Sequence, residues 1–234
     1  MSETSKYNLG NAKFGGGFAG DEGTQIGGTF NDYSSNNDAA KTEVASTPAV
    51  KNILILAANP KNTDKLRLDE EVREINAGLQ RAKKREQFEL KQQWAVRIRD
   101  VSRALLDYKP QILHFSGHGG GEHGLVLEDE TGKIQFVNTE ALAELFELFA
   151  NSVECVVLNA CYSEVQADAI VQHIPYVIGM NKAIGDKAAI QFAVGFYDAV
   201  CAGESVEFAY KLGCNAIRLA GIAENLTPVL KKKQ

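Results

Sequence analysis

Two side chains in this sequence have the type and setting for covalent acyl chemistry. His118 follows the apolar segment 111–116 (QILHFS), and Cys161 follows 153–158 (VECVVL), 43 residues beyond the histidine. The thiolate is the reactive form of cysteine, and a neighbouring imidazole or helix N-terminus favours it. If the two apolar segments are adjacent strands, both side chains emerge at one edge of the sheet, as a nucleophile and its proton-transfer partner must. Gly117, Gly119, Gly120 and Gly121 surround the imidazole and let main chain approach a substrate carbonyl closely. The amide N–H of His118 or Gly119, together with that of Cys161, would then face a developing oxyanion.

The elements that must hold these residues alternate between strand and helix patterns from residue 49 onward. Residues 52–58 (NILILAA) are continuously apolar, as a strand buried on both faces should be. Leu68, Val72, Ile75 and Leu79 follow at helical spacing. Residues 88–96 alternate as a strand, and Val101, Leu105 and Leu106 mark a short helix ending before Pro110. Strand 111–116 opens into the glycine-rich 117–121. Asp129-Glu130-Thr131-Gly132 lies between two short apolar stretches and reads as a hairpin. A helix is expected over 139–149 with Thr139 as its N-cap, then strand 153–158 ending in Asn159-Ala160-Cys161. Helices over 164–173, 187–201 and 205–220, with a strand over 176–180, complete the pattern. The order predicts an α/β fold, a mostly parallel sheet flanked by helices, with its site beyond the carboxyl ends of strands.

The segments His114-Phe115-Ser116-Gly117-His118-Gly119 and Leu158-Asn159-Ala160-Cys161-Tyr162-Ser163 resemble the CHAT branch of the caspase-like cysteine peptidases. The likeness continues through Val177-Ile178-Gly179-Met180, Ile184-Gly185-Asp186 and residues 192–203, and covers about 51–220. It implies a caspase-hemoglobinase-like fold and endopeptidase activity, with His118 and Cys161 as the catalytic dyad. The nucleophile sits in Asn-Ala-Cys-Tyr-Ser, unlike the Gln-Ala-Cys-x-Gly of true caspases, so specificity for Asp is not carried over. In related peptidases that cleave after Arg or Lys, an acid beyond the strand following the nucleophile lines the P1 pocket, and Asp186 matches that place. A carboxylate there would pair bidentately with a guanidinium. Asp186 also directly precedes a predicted helix and fits a plain N-cap.

Other candidates are weaker. His114, His118 and His123, with Glu122, invite a metal reading, but His114 lies in a strand and His118 in a loop, so helical convergence on one ion fails. No metal or organic cofactor is expected. The 117–121 loop lacks the lysine of a phosphate-binding loop, which leaves a flavodoxin-like nucleotide binder as a third-ranked reading. Glu164 and Asp168 read as solvated or helix-terminal charges, Cys155, Cys201 and Cys214 as core, and Lys231-Lys232-Lys233 as a solvated end.

Composition bounds the rest. The chain has 234 residues, 25 basic and 30 acidic, for a net charge of −5. That balance argues against nucleic acid as partner. No apolar run is long enough for a membrane span, residues 1–20 lack a secretory h-region, and the cysteines show no disulfide or zinc spacing. A cytoplasmic location follows as the expectation. Residues 1–48 are rich in Gly, Ser and Asn and poor in aliphatics, and read as a flexible tail ahead of a folded domain over 49–234. Within 7–33, Phe14-Gly15-Gly16-Gly17-Phe18 and Ile26-Gly27-Gly28-Thr29-Phe30 repeat one pattern 12 residues apart. The pair resembles N-terminal amyloid-signalling motifs, which implies self-assembly or templating by a nucleotide-binding sensor. The reading is therefore a Cys-His endopeptidase acting on protein or peptide substrates, a signalling or defence effector recruited through its tail. The alternative is a catalytically silent adaptor of the same fold.

Overall fold

The computed structural model describes residues 50–234. The repeat at 7–33 and the linker after it lie outside the described residues. Six strands form one sheet: β1 (Lys51–Ala58), β2 (Phe88–Trp94), β3 (Ile112–Gly117), β6 (Cys155–Asn159), β7 (Tyr176–Met180) and β8 (Pro228–Lys232). Their spatial order is β2-β1-β3-β6-β7-β8. The first five are parallel, and β8 joins antiparallel at the edge beside β7. A separate hairpin pairs β4 (Leu125–Glu128) with β5 (Ile134–Val137).

Six helices cover both faces: α1 (Leu68–Arg81), α2 (Ile98–Tyr108), α3 (Thr139–Leu148), α4 (Glu164–Ile170), α5 (Asp186–Ala202) and α6 (Val206–Leu219). Alternate strand residues point to opposite faces, so one strand serves two cores. Leu54, Leu56, Leu113, Phe115, Val156 and Leu158 pack with residues of α2, α3 and α4. Ile53, Ile55, Ile112, Val157 and Ile178 pack with Val72 and Ile75 of α1, Phe192 and Phe196 of α5, and Ile217 of α6. Both faces being covered explains why the central strands read as unbroken apolar runs. Among the described residues, no helix is long and apolar enough to cross a membrane.

The expected elements are present, with shifts that have local causes. The N-cap of α3 is Asn138, whose side-chain oxygen accepts the Ala141 N–H at 2.9 Å, and Thr139 is the first helical residue. The helix expected to run to residue 173 ends at Ile170, because the chain must turn before Pro175 into β7. Lys232 and Lys233 are exposed, as a solvated end should be, but the segment is more than that. Lys231 and Lys232 belong to β8, and all three ammonium groups find partners: Glu164 and Asp168, Glu207, and the His173 carbonyl. Glu164 and Asp168 are thereby held in structural ion pairs.

Candidate active site

Sequence order places β1 and β2 on one side of the sheet and returns the chain to β3 on the other side of β1. A cleft opens near that reversal, as parallel sheets favour. It is lined by Leu66, Arg67 and Glu71 after β1, Ser116 and His118 at the end of β3, Asn159 and Cys161 at the end of β6, and Ile184 and Asp186 after β7. Strands β3 and β6 are neighbours, with Ser116 opposite Asn159. His118 and Cys161 each lie two residues further along, at matching positions on the same edge.

Main chain brings the two segments together. A Cβ at Gly119 would fall 2.0 Å from the Cys161 carbonyl oxygen and 3.2 Å from its nitrogen. Only glycine allows this contact, so the glycine-rich loop packs against the cysteine turn at Gly119. Among the described residues, the amide N–H groups of Gly119 and Cys161 make no hydrogen bond. Cys161 occupies the tight turn between β6 and α4, and the next residue, Tyr162, holds a left-handed φ of 56°. The Ser163 hydroxyl fastens this turn, donating to the Leu158 carbonyl at 2.8 Å and accepting the Met180 N–H at 3.0 Å.

The His118 and Cys161 side chains are not hydrogen-bonded to each other. His118 Nε2 lies 2.9 Å from the carbonyl of Asp64. A carbonyl only accepts, so in the neutral ring Nε2 carries the proton and Nδ1 keeps the lone pair. The Ile184 N–H points at Cys161 Sγ from 3.4 Å, and the Ile184 carbonyl lies 3.7 Å from the same sulfur. The cleft is narrow at its floor, with room for about three waters. Asp186 lines it from the first turn of α5, whose N-cap is Gly185, so Asp186 is not the cap. The Gly185 N–H instead donates to Glu224 Oε2 at 2.8 Å.

Below the cleft lies a polar cluster that reading the sequence did not foresee. Glu71 of α1 is buried. Its Oε1 accepts from His114 Nε2 at 2.9 Å and Asn159 Nδ2 at 2.6 Å, and its Oε2 accepts from the Ser116 hydroxyl. His114 Nδ1 meets the buried Tyr197 hydroxyl at 3.1 Å. With Nε2–H given to Glu71, Nδ1 accepts from Tyr197. Burial alone would push Glu71 up. The hydrogen bonds from His114, Ser116 and Asn159 outweigh it and hold the carboxyl below its usual range. Tyr197 is pushed well above its usual value, chiefly by burial, and so stays a donor. His114 is thus a buried strand residue with both nitrogens engaged. His123 is exposed beside Phe136. Among the described residues, no group of three or more His, Cys, Asp or Glu could hold a metal ion. All four cysteines are free; Cys155 and Cys201 are fully buried and Cys214 partly so, as expected of core thiols.

Comparison with known proteins bears on this arrangement. The chain is 27% identical over 196 residues to a Roc-COR-CHAT protease from an unknown prokaryotic organism, covering 81% of this chain and 18% of that protein. It is also 27% identical over 203 residues to a probable protease from Gillisia limnaea, covering 81% of this chain and 36% of that one. The chain therefore spans well under half the length of these curated relatives. A crystal structure of a PfkB protein from Polaromonas sp. JS666 superposes with a TM-score of only 0.31 at 13% identity, over 76% of this chain and 98% of its own. The model of the CHAT domain matches residues 29–210. Both protease-named relatives and the matched span point the same way, and the chain belongs to the CHAT domain family.

Proposed function

We propose that this protein is a cysteine endopeptidase with Cys161 as nucleophile and His118 as its proton-transfer partner. The observation that carries the proposal is the matched placement of the two residues beyond adjacent parallel strands, with two unengaged amide N–H groups beside them. The Cys161 thiol gives its proton to His118 Nδ1 as the sulfur bonds to the scissile carbonyl carbon. The Gly119 and Cys161 N–H groups hold the resulting oxyanion. Collapse of this intermediate breaks the C–N bond, and the imidazolium protonates the departing amine. Water then hydrolyses the thioester with His118 as base. The Asp64 carbonyl keeps Nε2 as the protonated nitrogen throughout, as the third group of such a triad does.

Asp186 supplies the acid for Arg or Lys at P1. The cleft must widen to admit either, and the Ile184 contact with Cys161 must loosen. A folded domain over 49–234 then works as a switchable effector, with residues 7–33 recruiting it to copies of itself or to a nucleotide-binding sensor. Proximity raises the effective concentration of substrate and enzyme. A free thiol nucleophile suits a reducing, cytoplasmic compartment.

The test is hydrolysis of fluorogenic peptides carrying Arg, Lys, Asp or Leu at P1, by wild-type and Cys161→Ala proteins, as monomer and after assembly. Expected is cleavage after Arg or Lys that vanishes in Cys161→Ala. Turnover retained by Cys161→Ala overturns the assignment. Silence in every state favours the non-catalytic adaptor.

A further inference from the structure

We infer that Glu71 is a positioning residue: one carboxylate ties the strand carrying His118 to the strand carrying Cys161 and so sets the separation of the two. The inference rests on the proposed peptidase reading for its kinetic readout.

The geometry is specific. Ser116 and Asn159 face each other across β3 and β6, and both donate to Glu71. Each lies two residues before a member of the dyad. His118 follows the last residue of β3 and Cys161 lies in the turn just past the end of β6, so a shift between Ser116 and Asn159 passes through a single intervening residue of main chain to each of them. His114, two residues earlier on β3, gives Glu71 a further donor from the same strand, and Tyr197 of α5 holds that imidazole from behind. The clamp thus joins α1, β3, β6 and α5 immediately beneath the cleft.

Burying a carboxylate needs a reason. Glu71 falls among Leu68, Val72, Ile75 and Leu79 on the core face of α1, where an apolar side chain would pack without the cost of removing a charge from water. An apolar residue there would take the carboxylate partner from the donors of Ser116, His114 and Asn159, and would remove the side-chain acceptor shared by β3 and β6. Glu71 has nearly its full complement of donors. Asn159 Oδ1, by contrast, is buried and unpartnered among the described residues. The asparagine is therefore oriented by its amide nitrogen, that is, by Glu71 and by the Ala189 carbonyl at 3.3 Å.

The test uses Ser116→Ala, Asn159→Ala and the double variant of the full chain. Hydrolysis is measured as kcat and KM per alkylatable Cys161, with Tm recorded alongside. Ser116→Ala removes one hydroxyl and is the variant most certain to fold. Expected is a fall in kcat of about 10- to 100-fold for each single change, the scale of a misplacement near 1 Å, with KM within about twofold. The double variant should lose no more than about twofold beyond the worse single one, because breaking either arm releases the clamp. Losses that multiply would overturn the inference, as would a raised KM at unchanged kcat. So would losses that follow the unfolded fraction at the assay temperature. Silence of the wild type would sink the peptidase reading and leave the clamp to a second readout, the rate of Cys161 alkylation by iodoacetamide. The same non-multiplying slowing supports the clamp there, and equal rates in all four proteins overturn it.

Discussion

Glu71 and Glu207 are both glutamates held below their usual range, and they arrive there by opposite routes. Glu71 is sealed beneath the cleft, where burial opposes its charge and hydrogen bonds from three side chains restore it. Glu207 sits at the start of α6 on the β8 edge, where Lys232 Nζ at 2.7 Å is the main cause of its lowering to about 2. Its own backbone N–H and the Tyr176 hydroxyl at 3.0 Å assist. The first cluster has no water to fall back on, and every donor must be placed. The second is wet, so each partner can be lost to solvent at little cost. The molecule spends its exacting polar packing under the candidate site and leaves its sheet edge to exchangeable surface pairs.

The widest separation between the two should come from truncation. Glu71→Leu takes the carboxylate partner from three buried side-chain donors, and each buried donor left unsatisfied costs about 1–3 kcal/mol. Against a typical total of about 5–15 kcal/mol, urea unfolding followed by circular dichroism should show a large drop in midpoint or outright failure to fold. Glu207→Leu should barely move that midpoint. Equal shifts for the two variants would break the comparison at its root.

Acid should separate them next. Both carboxylates have folded values below the ordinary 4.5, so each contributes stability that is complete above that pH and is lost as pH falls through its folded value. The stability gap between wild type and Glu71→Gln should therefore hold steady from pH 7 to about pH 5 and narrow only below 4.5. For Glu207→Gln the narrowing should extend towards pH 2. The buried member should respond identically in 0.1 M and 1 M salt, because ions cannot reach it, whereas the exposed one should lose most of its gap in 1 M salt, where the screening length is about 3 Å. Unfolding monitored across a grid of pH and salt gives both readings. A salt-sensitive Glu71 gap would mean that water reaches the cluster.

The contrast also marks what the sequence discloses. The placement of the candidates His118 and Cys161 was legible because each follows an apolar strand pattern, and the side-by-side pairing of those strands is the remaining step to a common edge. The Glu71 cluster was harder to see, since Asp69-Glu70-Glu71 reads as the ordinary acidic first turn of a helix. A signal was nonetheless present. Position 71 lies three residues after Leu68 and four before Ile75, on the apolar face, while His114, Ser116 and Asn159 are polar residues in strands buried on both sides. Polar groups placed there must find one another. The Asp64 carbonyl and the Ile184 amide could not be foreseen, because they act through main chain and carry no side-chain signature. Strand β8 was missed because two apolar residues and a lysine run resemble a solvated terminus. Lysines are also what protects an edge strand from further pairing, and here Lys231 and Lys232 pair inward with α4 and α6 as well.

That double use of the lysines gives the smallest and sharpest expectation. Lys232→Met keeps the stem that crosses the Tyr176 ring but removes the ammonium that lies 5.9 Å from its centroid and 2.7 Å from Glu207. Fold and hydrolysis should be unchanged, and thermal stability at pH 7 should fall only slightly. The Tyr176 hydroxyl, raised chiefly by its bond to Glu207 and drawn down in part by Lys232, should titrate higher still without that charge. Spectrophotometric titration near 295 nm, compared between the two proteins, reads this directly in the alkaline range. An unchanged tyrosine titration would mean that Lys232 and Glu207 are already screened by water at this edge. The β8 cluster would then be weaker than its short distances suggest, and the contrast with the sealed carboxylate of Glu71 would be greater, not smaller.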